Sequence, residues 1–168
     1  AMEAGFDGVE VHGANGYLLD QFLRETANAR TDGYGGSIEN RARLLLEVTK
    51  AVARQIGAER TGVRLSPVSP ASGIVLSGNE QPQFEHVVEK LDALGIAYIH
   101  IVEGATGGPR DATPFDYAAL RTRFGRTFLV NNGLDLSLAE LQLAGGKADL
   151  FAFGRMFIAN PDLVERLK

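Results

Sequence analysis

The sequence predicts an α/β fold, a (β/α)8 TIM barrel of which this chain carries a part. Residues 3–11, 93–101 and 144–153 repeat one pattern, the end of a helix, a glycine and a short apolar strand. Strands that alternate with helices form βαβ units and a parallel sheet. A complete barrel needs roughly 250 residues, so five of its eight units need about 156. The chain has 168 residues, which fits five units.

Five apolar segments are expected to form the strands. They lie near residues 7–12, 61–65, 97–102, 127–131 and 149–153. They are short and rich in Val, Ile, Leu and Phe, as strands are when helices cover a parallel sheet. Gly5 and Gly95 suit the left-handed backbone that ends a helix before such a strand. A doubly wound sheet of five strands fits the same pattern and remains the alternative to a barrel.

Helical periodicity fills the gaps between the strands. Apolar residues share one helical stripe from Ile38 to Ile56 and another from Phe84 to Leu94. Three start signals predict further helices, at Thr113 before Pro114, at Ser137 with Glu140, and at Asn160 before Pro161. Residues 1–5 resemble the tail of a helix with no strand before it. We therefore expect one domain, residues 1–168, that runs from barrel strand 4 through the helix after strand 8 and lacks the first three βα units.

The composition excludes several classes of protein. Seventeen Lys and Arg against 21 Asp and Glu give a net charge of −4, so a basic nucleic-acid surface is absent. No apolar run approaches the ~20 residues that span a bilayer, and no secretion signal begins the chain. The chain has no cysteine, and its three histidines are not at metal-ligand spacing. We expect a cytoplasmic protein with a small-molecule substrate, without metal, nucleic-acid or membrane partners, and with self-association left open.

Polar side chains cluster where the first strand ends. Alternation along the strand places Glu10 and His12 on the face opposite the valines, and Asn15 and Tyr17 follow on a glycine-rich bend. A barrel carries its function at the C-terminal ends of its strands. These groups could bind the oxygen of one small ligand. A core histidine followed by ordinary turn residues is the alternative.

Arg64 lies inside the otherwise apolar second strand. A buried guanidinium requires a partner, because removing its charge from water costs free energy. Glu10 would be a structural partner, whereas an anionic or carbonyl-rich ligand would be a functional one.

Glycines and an arginine follow the last two strands. In barrels the loops after strands 7 and 8 often bind phosphate through free backbone N–H groups. Gly133 and Gly154 would allow close backbone approach, and Arg155 supplies a forked, permanently charged donor. Both loops together predict a phosphate site. The segment 104–109 is also glycine-rich but lacks the lysine of a P-loop. It could be a mobile active-site loop or a plain connector, and we favour the connector.

Four ordered motifs resemble the old yellow enzyme family of FMN-dependent ene-reductases. They read HGANGYLLDQFL from His12, NARTDGYGGSIENR from Asn28, VRLSP from Val63 and FGRMFIANPDL from Phe153. The resemblance covers essentially the whole chain. It implies a barrel that binds FMN, takes electrons from NAD(P)H and reduces the C=C bond of α,β-unsaturated carbonyls or related activated alkenes. A dienoyl-thioester reductase-type relative and an inactive apo half-barrel are the alternatives.

The resemblance also implies roles for the residues singled out above. The positions of His12 and Asn15 bind the substrate oxygen, and the position of Tyr17 donates a proton to the substrate α-carbon. The position of Arg64 lies against the flavin pyrimidine ring. The FMN phosphate is held by the positions of Asn132, Gly133, Gly154 and Arg155. The turn at Asn132 is less glycine-rich than is usual in the family, which weakens the expected contact there.

Overall fold

A computed structural model describes residues 1–168 and contains five strands and seven α-helices. The strands are β1 (Val9–Gly13), β2 (Thr61–Leu65), β3 (Tyr98–Val102), β4 (Thr127–Asn131) and β5 (Leu150–Ala152). The helices are α1 (Leu18–Leu23), α2 (Ile38–Ile56), α3 (Glu80–Ala93), α4 (Tyr117–Arg123), α5 (Leu136–Ala144), α6 (Arg155–Ala159) and α7 (Leu163–Arg166). None of these helices is both long enough and apolar enough to cross a membrane.

The order of the strands decides between the two predicted architectures. Each strand pairs in parallel with the next strand of the chain, from β1 to β5. In a doubly wound sheet the order reverses at one point, and the helices then cover both faces. Because parallel crossovers are right-handed, a sheet that never reverses carries its helices on one face, as a barrel wall does. The doubly wound alternative is wrong, and the chain forms part of a (β/α)8 barrel.

The hydrophobic core lies between the sheet and this single layer of helices. Val63, Ile99 and Val130 point from the strands into the core and are fully buried. They pack in one cluster with helix residues such as Phe84 and Leu91. Residues at the alternate strand positions point to the opposite face, which is the inside of the barrel wall.

The inner face carries polar groups near the strand ends. Val11 of β1 is buried, whereas Glu10 and His12 are exposed, which confirms the alternation predicted for this strand. At the other edge Leu150 of β5 is 52% exposed on the same face. The inner face is therefore available to ligands and to further chain.

The three predicted helix starts are wrong by two or three residues. The α4 helix is capped by Asp116, α5 is capped by Asp135, and α7 begins after Asp162. The predicted starts were Thr113, Ser137 and Asn160. The Asp116 and Asp135 carboxylates each accept a backbone N–H of the first turn, a bond that a full charge strengthens at the positive end of the helix dipole. Residues 2–5 form hydrogen-bonded turns rather than the expected helix tail.

The cap of α5 gives a stability prediction. Asp135 Oδ1 accepts the backbone N–H of Leu138 at 2.8 Å. We expect Asp135→Ala to lower the free energy of unfolding by about 1 kcal/mol, because one N–H of the first turn loses its partner. Ser137→Ala, inside the helix, should cost less than about 0.5 kcal/mol. Urea unfolding of the intact protein measures both variants, and a larger loss for Ser137→Ala would contradict the assignment of the cap.

Candidate functional site

The C-terminal ends of the five strands lie along one edge of the sheet, because all the strands are parallel. The predicted site residues lie in the loops that leave this edge or, for His12, Arg64 and Arg155, within two residues of them. These loops span residues 14–17, 66–79, 103–116, 132–135 and 153–154.

His12, Asn15 and Tyr17 lie on one tight turn at the end of β1. The rings of His12 and Tyr17 are 5.4 Å apart between centroids, and Tyr17 is 59% exposed at the start of α1. Asn15 has a φ of 60°, a left-handed conformation that Asn tolerates better than most residues. Its backbone N–H donates to Ser66 Oγ at 2.7 Å. The rings of His12 and Tyr17 are therefore neighbours, and Asn15 lies between these residues in the sequence.

A buried ion pair fixes this turn to the loop after β2. Arg24 Nε donates to Asp20 Oδ1 at 2.9 Å, and the two side chains are 2% and 0% exposed. Asp20 Oδ2 accepts the backbone N–H of Gly16, while the Arg24 guanidinium donates to the carbonyl oxygens of Ser66 and Pro67. Sequence reasoning missed this pair, although its i, i+4 spacing on α1 was a usable signal.

The surroundings of His12 favour the neutral form of its ring. Partial burial lowers its pKa, and the nearby positive charge of Arg64 lowers it further. A neutral imidazole carries one N–H donor and one acceptor nitrogen. His12 can therefore donate a hydrogen bond to a ligand oxygen without bringing a full charge.

Arg64 does not bond to Glu10, so the structural alternative considered for it is wrong. Glu10 Oε2 lies 3.0 Å from His100 Nδ1, and His100 is buried. This contact crosses β2, where a Cβ at Gly62 would lie 2.2 Å from the ring of Tyr98, so the glycine makes room for that ring. Arg64 Nε is buried and has no partner within the chain. An orphaned guanidinium nitrogen on the inner face fits a ligand with acceptor atoms at this position.

The Glu10–His100 contact predicts a pH dependence of stability. Burial raises the pKa of the Glu10 carboxyl, but the hydrogen bonds with His100 and Tyr98 and the electrostatic attraction of His100 and Arg64 together outweigh it. The folded-state pKa therefore lies below the ordinary value. The contribution of this contact to the free energy of unfolding is complete above the pKa of about 4.3 that the Glu10 carboxyl has in the unfolded chain. It disappears as the pH falls through the lower pKa of the folded state. We expect Glu10→Gln to cost less than about 1 kcal/mol at pH 7 and progressively less below pH 4. Urea unfolding at both pH values checks this, and a cost that grows on acidification would contradict it.

A cavity of about 420 Å³ lies between the loops after β4 and β5. Gly133, Gly154 and Arg155 line it, together with Asn131 and Asn132. The backbone N–H groups of Asn132, Gly133 and Gly154 donate no hydrogen bond within the chain. A Cβ added at Gly154 would meet open space, so the backbone is accessible there. The cavity thus offers several free donors to one ligand.

The charged donor of this cavity is also free. Arg155 lines the cavity, is exposed and forms no ion pair within the chain. Free backbone N–H groups beside an unpaired guanidinium are the donor set that a phosphate monoester requires. The residues present therefore fit the phosphate end of FMN.

Asn132 contributes its backbone rather than its side chain. Its φ of 93° is left-handed, the conformation for which a glycine is normally used. Its side-chain nitrogen donates to the carbonyl oxygens of Glu103 and Ala105, and its side-chain oxygen accepts from Gly107 N. The asparagine thus replaces a glycine by bonding its side chain to the neighbouring loop.

The sequence favoured a plain connector for the loop at 104–109, but this loop contributes to the candidate site. Thr106 and Gly107 line the cavity, and Thr106 Oγ1 donates to Asn15 Oδ1 at 2.8 Å. Arg110 follows, donates to the carbonyl oxygen of Asn132 at 2.7 Å and pairs with Glu103. Nothing in the sequence pointed to Thr106, because its contact with Asn15 joins positions 91 residues apart.

The sequence pattern of one protein family, the NADH:flavin oxidoreductase / NADH oxidase family, matches residues 1–168. The chain belongs to this family. Within it, the chain is 44% identical over 177 residues to 12-oxophytodienoate reductase 2 of Arabidopsis thaliana. It is 43% identical over 182 residues to 12-oxophytodienoate reductase 1 of Oryza sativa subsp. japonica. All of this chain and 45% of each relative are covered.

Solved structures of NADH:flavin oxidoreductase family members share the fold. The old yellow enzyme homologue from Zymomonas mobilis superimposes with a TM-score of 0.93 at 43% identity, over 99% of this chain and 47% of its own. Morphinone reductase in complex with tetrahydroNAD superimposes with a TM-score of 0.90 at 43% identity, over 99% of this chain and 44% of its own. The resemblance to old yellow enzymes is confirmed. The chain spans about half the length of the relatives it matches.

Proposed function

We propose that the protein to which this chain belongs is an NAD(P)H-dependent FMN oxidoreductase. It reduces the C=C bond of α,β-unsaturated carbonyls or related activated alkenes. One observation carries the proposal: the orphaned Arg64 and the free donors around Gly133 and Gly154 share one sheet edge with His12 and Tyr17. Residues 1–168 supply barrel strands 4 to 8 as one domain, and the first three βα units are not among them. The cytoplasm is the proposed compartment.

We assign the FMN contacts to the hydrogen-bond donors that have no partner within the chain. The phosphate is assigned to the backbone N–H groups of Asn132, Gly133 and Gly154 and to the Arg155 residue. Arg64 is assigned to the acceptor atoms of the flavin pyrimidine ring, which satisfy its buried Nε. A positive group there stabilises the negative charge that accumulates when the ring is reduced.

Bound FMN would supply the hydride for the substrate β-carbon. His12 and Asn15 donate hydrogen bonds to the carbonyl oxygen and stabilise the negative charge that develops on it. Tyr17 gives its phenolic proton to the α-carbon as a general acid. Because Tyr17 is 59% exposed, solvent can return that proton after each turnover.

The intact purified protein tests this function directly. We expect it to be yellow, to release FMN on denaturation, and to lose its flavin colour with NADH or NADPH in the absence of oxygen. Addition of 2-cyclohexenone should then restore the colour and yield cyclohexanone. Failure to take up added FMN would contradict the proposal, and so would a reduced flavin that the enone does not reoxidise.

A further inference from the structure

We propose that Thr106 is a positioning residue that holds the Asn15 amide with its NH2 group directed toward the substrate oxygen. The inference rests on the proposed function. It assigns a role to the loop after β3, which the proposed function does not use. It starts from the contact between Thr106 Oγ1 and Asn15 Oδ1, which are 2.8 Å apart.

A short hydrogen-bond chain sets the direction of this contact. The backbone N–H of Thr106 donates to Ser69 Oγ at 3.0 Å, so this oxygen acts as an acceptor. The single Ser69 hydroxyl proton then donates to Thr106 Oγ1 at 2.8 Å. The hydroxyl proton of Thr106 remains for Asn15, and only the amide oxygen can accept it. Ser69 is fully buried, so water does not reach its hydroxyl, whereas Thr106 is exposed.

Asn15 is thereby held at both ends. Its backbone N–H is bonded to Ser66 Oγ, and its side-chain oxygen is bonded to Thr106. The side-chain nitrogen has no hydrogen-bond acceptor within the chain, and the residue is partly exposed. Both of its N–H donors are therefore available to a ligand.

The orientation of the amide matters for the reaction. Negative charge develops on the carbonyl oxygen of the substrate, and an NH2 group directed at it is stabilising. The opposite rotamer would present the amide oxygen, whose lone pairs repel that charge. Asn15 can adopt both rotamers by a simple rotation, so a fixed donor on one side is needed to select the productive one. Thr106 acts through Asn15 and does not itself contact the substrate.

The loop holds Thr106 in place independently of this hydroxyl. Gly104 N donates to the Tyr117 hydroxyl at 2.7 Å, and Ala105 N donates to the carbonyl oxygen of Pro109 at 2.9 Å. Asn132 also bonds the carbonyl oxygens on both sides of Gly104. Thr106→Val, which has nearly the same shape, is therefore expected to remove the donor and leave the loop folded.

A double-mutant cycle in the intact flavin-loaded protein tests the inference. The variants are Thr106→Val, Asn15→Ala and the combination, with Thr106→Ser as the conservative replacement. The rate constant for reoxidation of the reduced flavin by 2-cyclohexenone should fall about tenfold in Thr106→Val, the scale of one well-oriented hydrogen bond. Thr106→Ser should recover most of this loss. The combination should be no slower than Asn15→Ala alone, because Thr106 acts only through Asn15.

A binding measurement supplies a readout that does not depend on turnover. The dissociation constant of the unreactive ketone cyclohexanone, measured by calorimetry, should rise in Thr106→Val and show the same non-additivity with Asn15→Ala. Ser69→Ala removes the hydroxyl that donates to Thr106 and leaves both Thr106 and Asn15 unsubstituted. It should also raise the dissociation constant of the ketone. If Thr106→Val does not fold, Ser69→Ala decides the question.

The outcomes separate this inference from the proposed function. A protein that does not take up FMN contradicts the proposed function. Normal FMN uptake together with additive losses in the cycle, or with wild-type ketone binding in both Thr106→Val and Ser69→Ala, contradicts the role of Thr106 alone.

Discussion

Tyr17→Phe in the intact flavin-loaded protein is expected to slow reoxidation of the reduced flavin by 2-cyclohexenone by about 10²- to 10⁴-fold, the usual contribution of a general acid. The substitution removes only the hydroxyl, so the ring contact with His12 at 5.4 Å remains. Reduction of the flavin by NAD(P)H requires no proton from Tyr17 and should persist. Anaerobic stopped-flow absorbance measures the two half-reactions separately.

Tyr34→Phe is the matched control for this experiment. The Tyr34 hydroxyl donates to Glu47 Oε2 at 3.0 Å on the outer surface, away from the strand ends. We expect this variant to keep both half-reactions near the wild-type rates. Equal slowing of both half-reactions in Tyr17→Phe would contradict the assignment of Tyr17 as the proton donor.

Arg155→Ala is expected to raise the dissociation constant of FMN roughly 10- to 100-fold, the scale of a charge-assisted hydrogen bond to phosphate. The unpaired guanidinium at the cavity is lost, while the backbone donors of Gly133 and Gly154 remain. Riboflavin, which has no phosphate, should bind the variant and the wild type equally. Equilibrium dialysis of the reconstituted protein with each flavin gives both constants.

Arg166→Ala removes the same charge at a distance from the cavity. Arg166 pairs with Asp162 on α7, and its side chain is 61% exposed. Its FMN affinity should equal that of the wild type. An unchanged FMN dissociation constant in Arg155→Ala would remove Arg155 from the phosphate site.

The strands and the two long helices could be predicted from the sequence because apolar periodicity determines them. The prediction for β2 agrees at both ends, and the stripe from Ile38 to Ile56 coincides with α2. Helix starts were less predictable, because Asp135 and Ser137 both satisfy the local pattern. The difference between them is electrostatic, and the carboxylate forms the cap.

The candidate site was predictable where its residues are adjacent in sequence. His12, Asn15 and Tyr17 share one turn, and their proximity follows from the chain itself. The pairing of Glu10 with His100 instead of Arg64 was not predictable, because it depends on how β1, β2 and β3 align in the sheet. The hydrogen bond from Thr106 to Asn15 depends on how two distant loops meet, and no local pattern records such contacts.

The loop after β3 contacts both ends of the candidate site, so it could link ligand affinity at one end to ligand affinity at the other. Thr106 bonds Asn15 at the substrate end, and the backbone of the same loop bonds Asn132 at the phosphate end. If occupancy of one end shifts this loop, the affinity at the other end changes, and the converse effect has the same factor. The two recognition events would then be coupled through the adjacent residues Thr106 and Gly107 rather than through the barrel wall.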